Sequence, residues 1–207
     1  MIAASLVVSA CGSTTVPSPS VAPSLAPGSA APRPSPSRAV AATPSPSLAG
    51  SDVLVDPGLV SFLPPGGTDM LQTVDPDTTA QVAQDPALRA NASAMIIAVY
   101  RWNLRTPSPG PADDLAVVSV VRLRDRSKDD AWFRDWRDSY DTAACANAGG
   151  VARNSQTDIG THTVFIGSCA GGSFTYHTRV AGGAIVISIT SIGATHLGEI
   201  IMERLAP

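Results

Sequence analysis

Apolar residues recur at helical spacing most clearly between positions 132 and 144. Trp132, Phe133, Trp136, Tyr140, Ala143 and Ala144 fall at i, i+1, i+4, i+8, i+11 and i+12, which puts them on one helical face. Ser127 with Asp130 resembles a capping box at the start, and Gly149-Gly150 supplies a stop. Arg134, Asp135, Arg137, Asp138 and Asp141 are expected to form the solvated face of this helix. Leu197, Ile200, Ile201 and Leu205 repeat the spacing near the C-terminus, with Thr195 as the expected cap. A shorter helix is expected to start at Asp85-Pro86, a cap followed by proline at the first helical position, and to end near Ser93.

The remaining pattern alternates and is rich in β-branched residues. It predicts strands over 95–104 and 115–124, joined by a proline-rich loop over 106–111, and three closely spaced strands over 161–169, 172–180 and 184–192. Ala170-Gly171 and Gly182-Gly183 suit two-residue hairpin turns. With those turns Phe165 faces Tyr176, and Tyr176 in turn faces Ile189. One sheet face then gathers Phe165, Cys169, Phe174, Tyr176, Val180, Ile185, Ile187 and Ile189 as core. The other face would hold His162, Val164, Ile166, Thr175, His177, Arg179, Val186, Ser188 and Thr190. The expected fold class is α+β, a largely antiparallel sheet with helices packed on one face.

Composition divides the chain. Nine of its 18 prolines lie between Pro17 and Pro46, and residues 12–50 are almost wholly Ser, Pro, Ala, Thr, Val, Leu and Gly. Such a segment cannot bury enough apolar surface to offset its conformational entropy, so it is expected to remain a disordered or polyproline stalk. Its reach would be roughly 35 Å as a coil and on the order of 110 Å if extended. The expected organisation is a signal segment over 1–11, the stalk over 12–50, and one globular domain over 51–207. The net charge of the whole chain is −3. All 17 acidic residues lie at Asp52 or beyond, with 12 of the 14 basic ones. An acidic domain is poorly suited to nucleic acid, whose binding needs a cationic surface. No run approaches the roughly eighteen apolar residues of a membrane-spanning helix.

Val8-Ser9-Ala10-Cys11 follows the short aliphatic run 2–8. It resembles the lipobox of bacterial lipoproteins: an aliphatic residue, two small residues, then cysteine. The resemblance implies cleavage before Cys11 and attachment of a diacylglycerol to its thiol. Acyl chains then hold the protein on a membrane with about 0.8 kcal/mol per buried CH2. A secretory signal begins with Lys or Arg, and none precedes Cys11. That departure points to a start codon placed too far downstream, or to a trimmed sequence. Once Cys11 is assigned to lipid, Cys145 and Cys169 remain, and an exported domain with two leftover cysteines is expected to pair them.

Candidate chemistry is sparse. His162, His177 and Arg179, expected on one sheet face, could bind a carboxylate or phosphate or supply a general acid. Trp102, beside the proline-rich loop, could anchor a sugar ring or a partner protein. Aspartate groups at 75/77, 113–114 and 125/129–130 lack the calcium-loop pattern, and Asp85 reads as a helix cap. There is no Gly-x-Ser-x-Gly elbow, no His-Glu-x-x-His, no phosphate-binding loop and no dinucleotide fingerprint. No metal or cofactor is expected, and no catalytic residue is assigned. The leading expectation is an exported lipoprotein, lipid-anchored on the outer side of a bacterial cell membrane, whose stalked domain binds an extracytoplasmic ligand or protein without catalysis. The alternative is an envelope hydrolase that uses His162 or His177 with Asp158 or Ser188. A structural docking accessory comes third.

Overall fold

In the computed structural model the strongest helical pattern becomes α3, Asp130–Cys145, and the alternating segments become one eight-stranded sheet. The structure describes residues 52–103 and 114–206. The readings of Cys11, of the 12–50 stalk and of the proline-rich loop therefore lie outside the described residues.

The strands are β1 (Leu54–Val55), β2 (Met70–Val74), β3 (Ala92–Trp102), β4 (Leu115–Leu123), β5 (Val151–Ile159), β6 (His162–Cys169), β7 (Phe174–Val180) and β8 (Ile185–Ile192). Their order is β1-β3-β4-β8-β7-β6-β5, with β2 also pairing β3. Only β1 runs parallel to its neighbour; every other pairing is antiparallel. The sheet is the α+β arrangement expected from the alternating segments. Besides α3, the helices are α1 (Pro76–Val82), α2 (Pro86–Asn91) and α4 (Leu197–Glu203). Asp75 and Asp85 cap α1 and α2, each followed by proline. Asp129 caps α3 through the amide of Trp132, whereas Ser127 turns back to Asp125.

Helices lie on both faces of the sheet, an arrangement broader than the expected single helical layer. On the first face Tyr100, Val118, Tyr176, Ile187 and Ile189 pack beneath α4 and the 3-10 segment Pro57–Phe62. On the second, Met95, Ile97, Val121 and Val186 pack with Phe133 and Trp136 of α3 and Leu88 of α2. Strands covered on both sides read as nearly continuous apolar runs, which is why β3, β4 and β8 show weak alternation.

The β7–β8 register agrees with the expected one, Tyr176 opposite Ile189 and Thr178 opposite Ile187. The turn is longer than the expected two residues. Its last pair is Val180 with Ile185, so residues 181–184 lie between the strands, and Ala181, Gly182 and Gly183 all take positive φ. One extra residue on each side leaves the register unchanged. The β6–β7 register is displaced by one residue: Phe165 faces His177, and Ile166 faces Tyr176. The turn explains the displacement. The amide of Gly172 bonds the carbonyl of Cys169, and the amide of Cys169 bonds the carbonyl of Ser173. Three residues, not two, therefore separate the strands, with Gly172 at φ +86° as the bulge position. A slip of one exchanges the faces of a strand. Phe165 and Cys169 consequently join His177 beneath α3, while His162, Val164 and Ile166 join Tyr176.

That exchange still allows the expected disulfide. Cys145, the last residue of α3, and Cys169, the last of β6, are joined with Cα atoms 5.2 Å apart. On the opposite face, Gly198 lets α4 lie against Tyr176. A Cβ there would stand 2.6 Å from two ring carbons. We expect Gly198→Ala to destabilise the protein by about 1–2 kcal/mol in urea unfolding, overpacking outweighing the gain in helix propensity. Unchanged or raised stability would show that α4 does not press on Tyr176.

Candidate functional site

The buried stripe of α3 is not apolar throughout. Phe133, Arg137, Asp141 and Cys145 follow one another at i+4, so Asp141, expected in the solvated face, instead points into the sheet and is 4% exposed. The sheet meets it with polar side chains. Thr175, His177, Ser188 and Thr190 share the face beneath α3, and His177 and Ser188 are 1% and 0% exposed.

These groups form one connected network. Asp141 Oδ1 accepts from Thr175 Oγ1 at 2.6 Å and meets His177 Nε2 at 2.7 Å. An ionised carboxylate only accepts, so Nε2 carries the proton and donates. Nδ1 then accepts from Ser188 Oγ at 3.0 Å, and Ser188 in turn receives the Trp136 indole N–H at 3.4 Å. The Tyr140 ring stands edge-on to the imidazole at 5.0 Å, and its hydroxyl meets Thr190 Oγ1 at 3.1 Å. Burial pushes the Tyr140 phenol above its usual range. Gly167 is required beneath Asp141, since a Cβ there would lie 2.4 Å from Thr175 Oγ1 and 2.6 Å from Asp141 Oδ2.

The remaining candidates are dispersed. Arg179 shares the face of His177, but it donates to the Lys128 carbonyl at 2.8 Å and pairs with Asp130 at the start of α3. His162 lies on the opposite face, its Nε2 3.0 Å from the Ala206 carbonyl. The structure thus brings His177 and Arg179 onto one face and separates His162 from them. Trp102 is half-buried against the first core, its Nε1 donating to Thr195 Oγ1 at 3.0 Å. Thr195, the expected cap of α4, is held with Ala194 by Asp114 instead, and His196 occupies the cap position.

One groove adjoins the network. It has a volume of about 260 Å3 and lies between α3 and the β5–β6 hairpin. Arg134, Arg137, Asp138 and Asp141 line it from the helix; Asn154 and Ser155 of β5 and Phe165 and Ile166 of β6 line it from the sheet. The Arg137 guanidinium sits 3.7 Å over the Phe165 ring and 5.2 Å from Phe133. Partial burial draws it below its usual very high pKa, yet an arginine stays charged. Little in the chain's pattern announces this groove, because its helix side reads as an ordinary charged surface. The one available signal was an aspartate four residues from Arg137 and four from Cys145.

Among the described residues, no group of three or more His, Cys, Asp or Glu side chains is arranged to hold a metal ion. No described helix is long and apolar enough to cross a membrane. No protein-family model, curated protein or solved structure matches the chain.

Proposed function

We propose that this chain is an exported lipoprotein, anchored by lipid at Cys11 on the outer side of a bacterial cell membrane. Residues 12–50 act as its stalk, and the domain binds a ligand without transforming it. The observation that carries the binding reading is the enclosure of Asp141, His177 and Ser188 beneath α3. Groups that would serve catalysis are spent on holding a helix to a sheet. The charged groove beside α3 is left as the place where a small molecule can meet fixed polar groups. The Cys145–Cys169 disulfide supports export, since such bonds persist in oxidising compartments.

A hydrolase reading has one observation in its favour, the line from Asp141 through His177 to Ser188. Its geometry favours a structural role. Ser188 meets Nδ1 and the aspartate meets Nε2, the reverse of the arrangement in serine hydrolases. The groove, moreover, is lined by Asp141 and not by Ser188.

The anchor is tested by expressing the gene from its native locus and feeding cells an alkyne-bearing fatty acid. The wild-type protein should take up the label and sediment with membranes. Cys11→Ala should lose both properties. Label retained in that variant would overturn the assignment of Cys11.

A further inference from the structure

Arg137 and Asp141 stand one helical turn apart, and opposite charges at this spacing ordinarily pair across about 6 Å between Cβ atoms. Here no ion pair within 4 Å joins them, because each is held by a different neighbour. The Arg137 guanidinium lies flat on Phe165, and its Nε reaches the Phe133 carbonyl at 3.4 Å. Asp141 is fixed by Thr175 and His177, and both of those contacts fall on Oδ1. Among the described residues no hydrogen bond reaches Oδ2, and none reaches the two terminal nitrogens of Arg137. Both side chains line the same groove. The groove therefore holds a cation and a nearly buried carboxylate, preorganised and kept apart, each with hydrogen-bonding capacity to spare.

A simple anion fits this arrangement poorly. On approaching Arg137 it would also meet the carboxylates of Asp138 and Asp141, so the four charged side chains from α3 sum to zero. A simple cation meets the converse problem at Arg134 and Arg137. A molecule carrying both signs satisfies each end.

Resting on the reading of the domain as a ligand binder, we propose that this groove takes a small zwitterion of the amino-acid or short-peptide class. Its carboxylate lies on Arg137, and its ammonium donates to Asp141 Oδ2. Asn154 of β5, paired with Gly167 and so on the α3 side of the hairpin, offers its amide to the middle of the ligand, while Ser155 lines the groove from the next position. Arginine suits the carboxylate end because its planar fork is already immobilised on the Phe165 ring.

The test uses the full chain labelled with nitrogen-15. It is titrated with glycylglycine to 20 mM, and separately with acetate and with ethylamine as the two half-ligands. Glycylglycine should shift the amides of Arg137, Asp138, Asn154 and Ser155, with each half-ligand at least fivefold weaker. Arg137→Gln should abolish those shifts while the amides of β3 and β4 stay in place, and Asp135→Asn, on the exposed side of α3, should leave them intact. Acetate shifting the groove as strongly as glycylglycine would overturn the zwitterion and leave a binding domain with a plain anion site. Groove amides unmoved by all three probes, or shifts retained in Arg137→Gln, would overturn the site itself. The labelling of Cys11 is read independently of either result.

Discussion

Asp141→Ala should lower the stability of the protein by roughly 3–5 kcal/mol. The carboxylate receives Thr175 Oγ1 and His177 Nε2 in a site almost closed to water. Removing it leaves two buried donors unpaired, each costing about 1–3 kcal/mol. Asp141→Asn separates hydrogen bonding from charge. Its amide oxygen can still accept from both donors, so the loss should fall to about 1–2 kcal/mol. The measurement is urea unfolding with the disulfide intact, combined with His177→Ala in a double-mutant cycle. A coupling energy of about 1 kcal/mol or more is expected for groups in direct contact. If Asp141→Ala unfolded within 0.5 kcal/mol of the parent, on the scale of an ordinary surface substitution, the network would not be what holds α3 to the sheet.

Loss of the disulfide should be comparable. Cys145 and Cys169 are 24 positions apart, and closing a loop of that length is worth about 3.5 kcal/mol in the chain-entropy account. The Cys145→Ala, Cys169→Ala double variant should therefore melt roughly 6–12 °C below the parent. The damage should be local first. Residues 151–158 are exposed, and β5 has a single neighbouring strand, β6. Hydrogen exchange in the variant should accelerate in β5 before β3 or β4. A melting temperature within 2 °C of the parent, or uniform acceleration across the sheet, would contradict this role.

Elements with a long apolar face, whether one or two, were legible from the sequence; those without were not. α3 announces itself through Trp132, Phe133, Trp136 and Tyr140, and the β7–β8 hairpin through Gly182-Gly183 between two β-branched segments. β5 carries no alternation because neither of its faces is buried, so Val151–Ile159 has no apolar side to betray it. The short β1 and β2 and the seven residues of α1, about two turns, leave too few positions for a period to show. The site was half legible. His177 and Ser188 belong to the expected polar face, but its exposure was misjudged, because hydroxyl and imidazole groups facing a helix look no different in sequence from those facing water. Asp141 was hidden among the five charged residues expected on the solvated face of α3, and the β6 slip turned on whether Gly171 or Gly172 made the bend.

The strand order also dictates the order in which the sheet can be made. β3 pairs β4 within the first half of the domain, and β5 through β8 pair as successive neighbours in the second. Within the sheet the two halves are paired through β4 and β8, with Val118 opposite Ile189 and Val120 opposite Ile187. Closing that long loop costs roughly 2 kcal/mol more entropy than closing a hairpin of a few residues, and distant pairings of this kind slow folding. The middle of the sheet, its most buried part, is therefore a seam: β4 can close on β8 only once that distant strand has been made, whereas the hairpins on either side close across short loops.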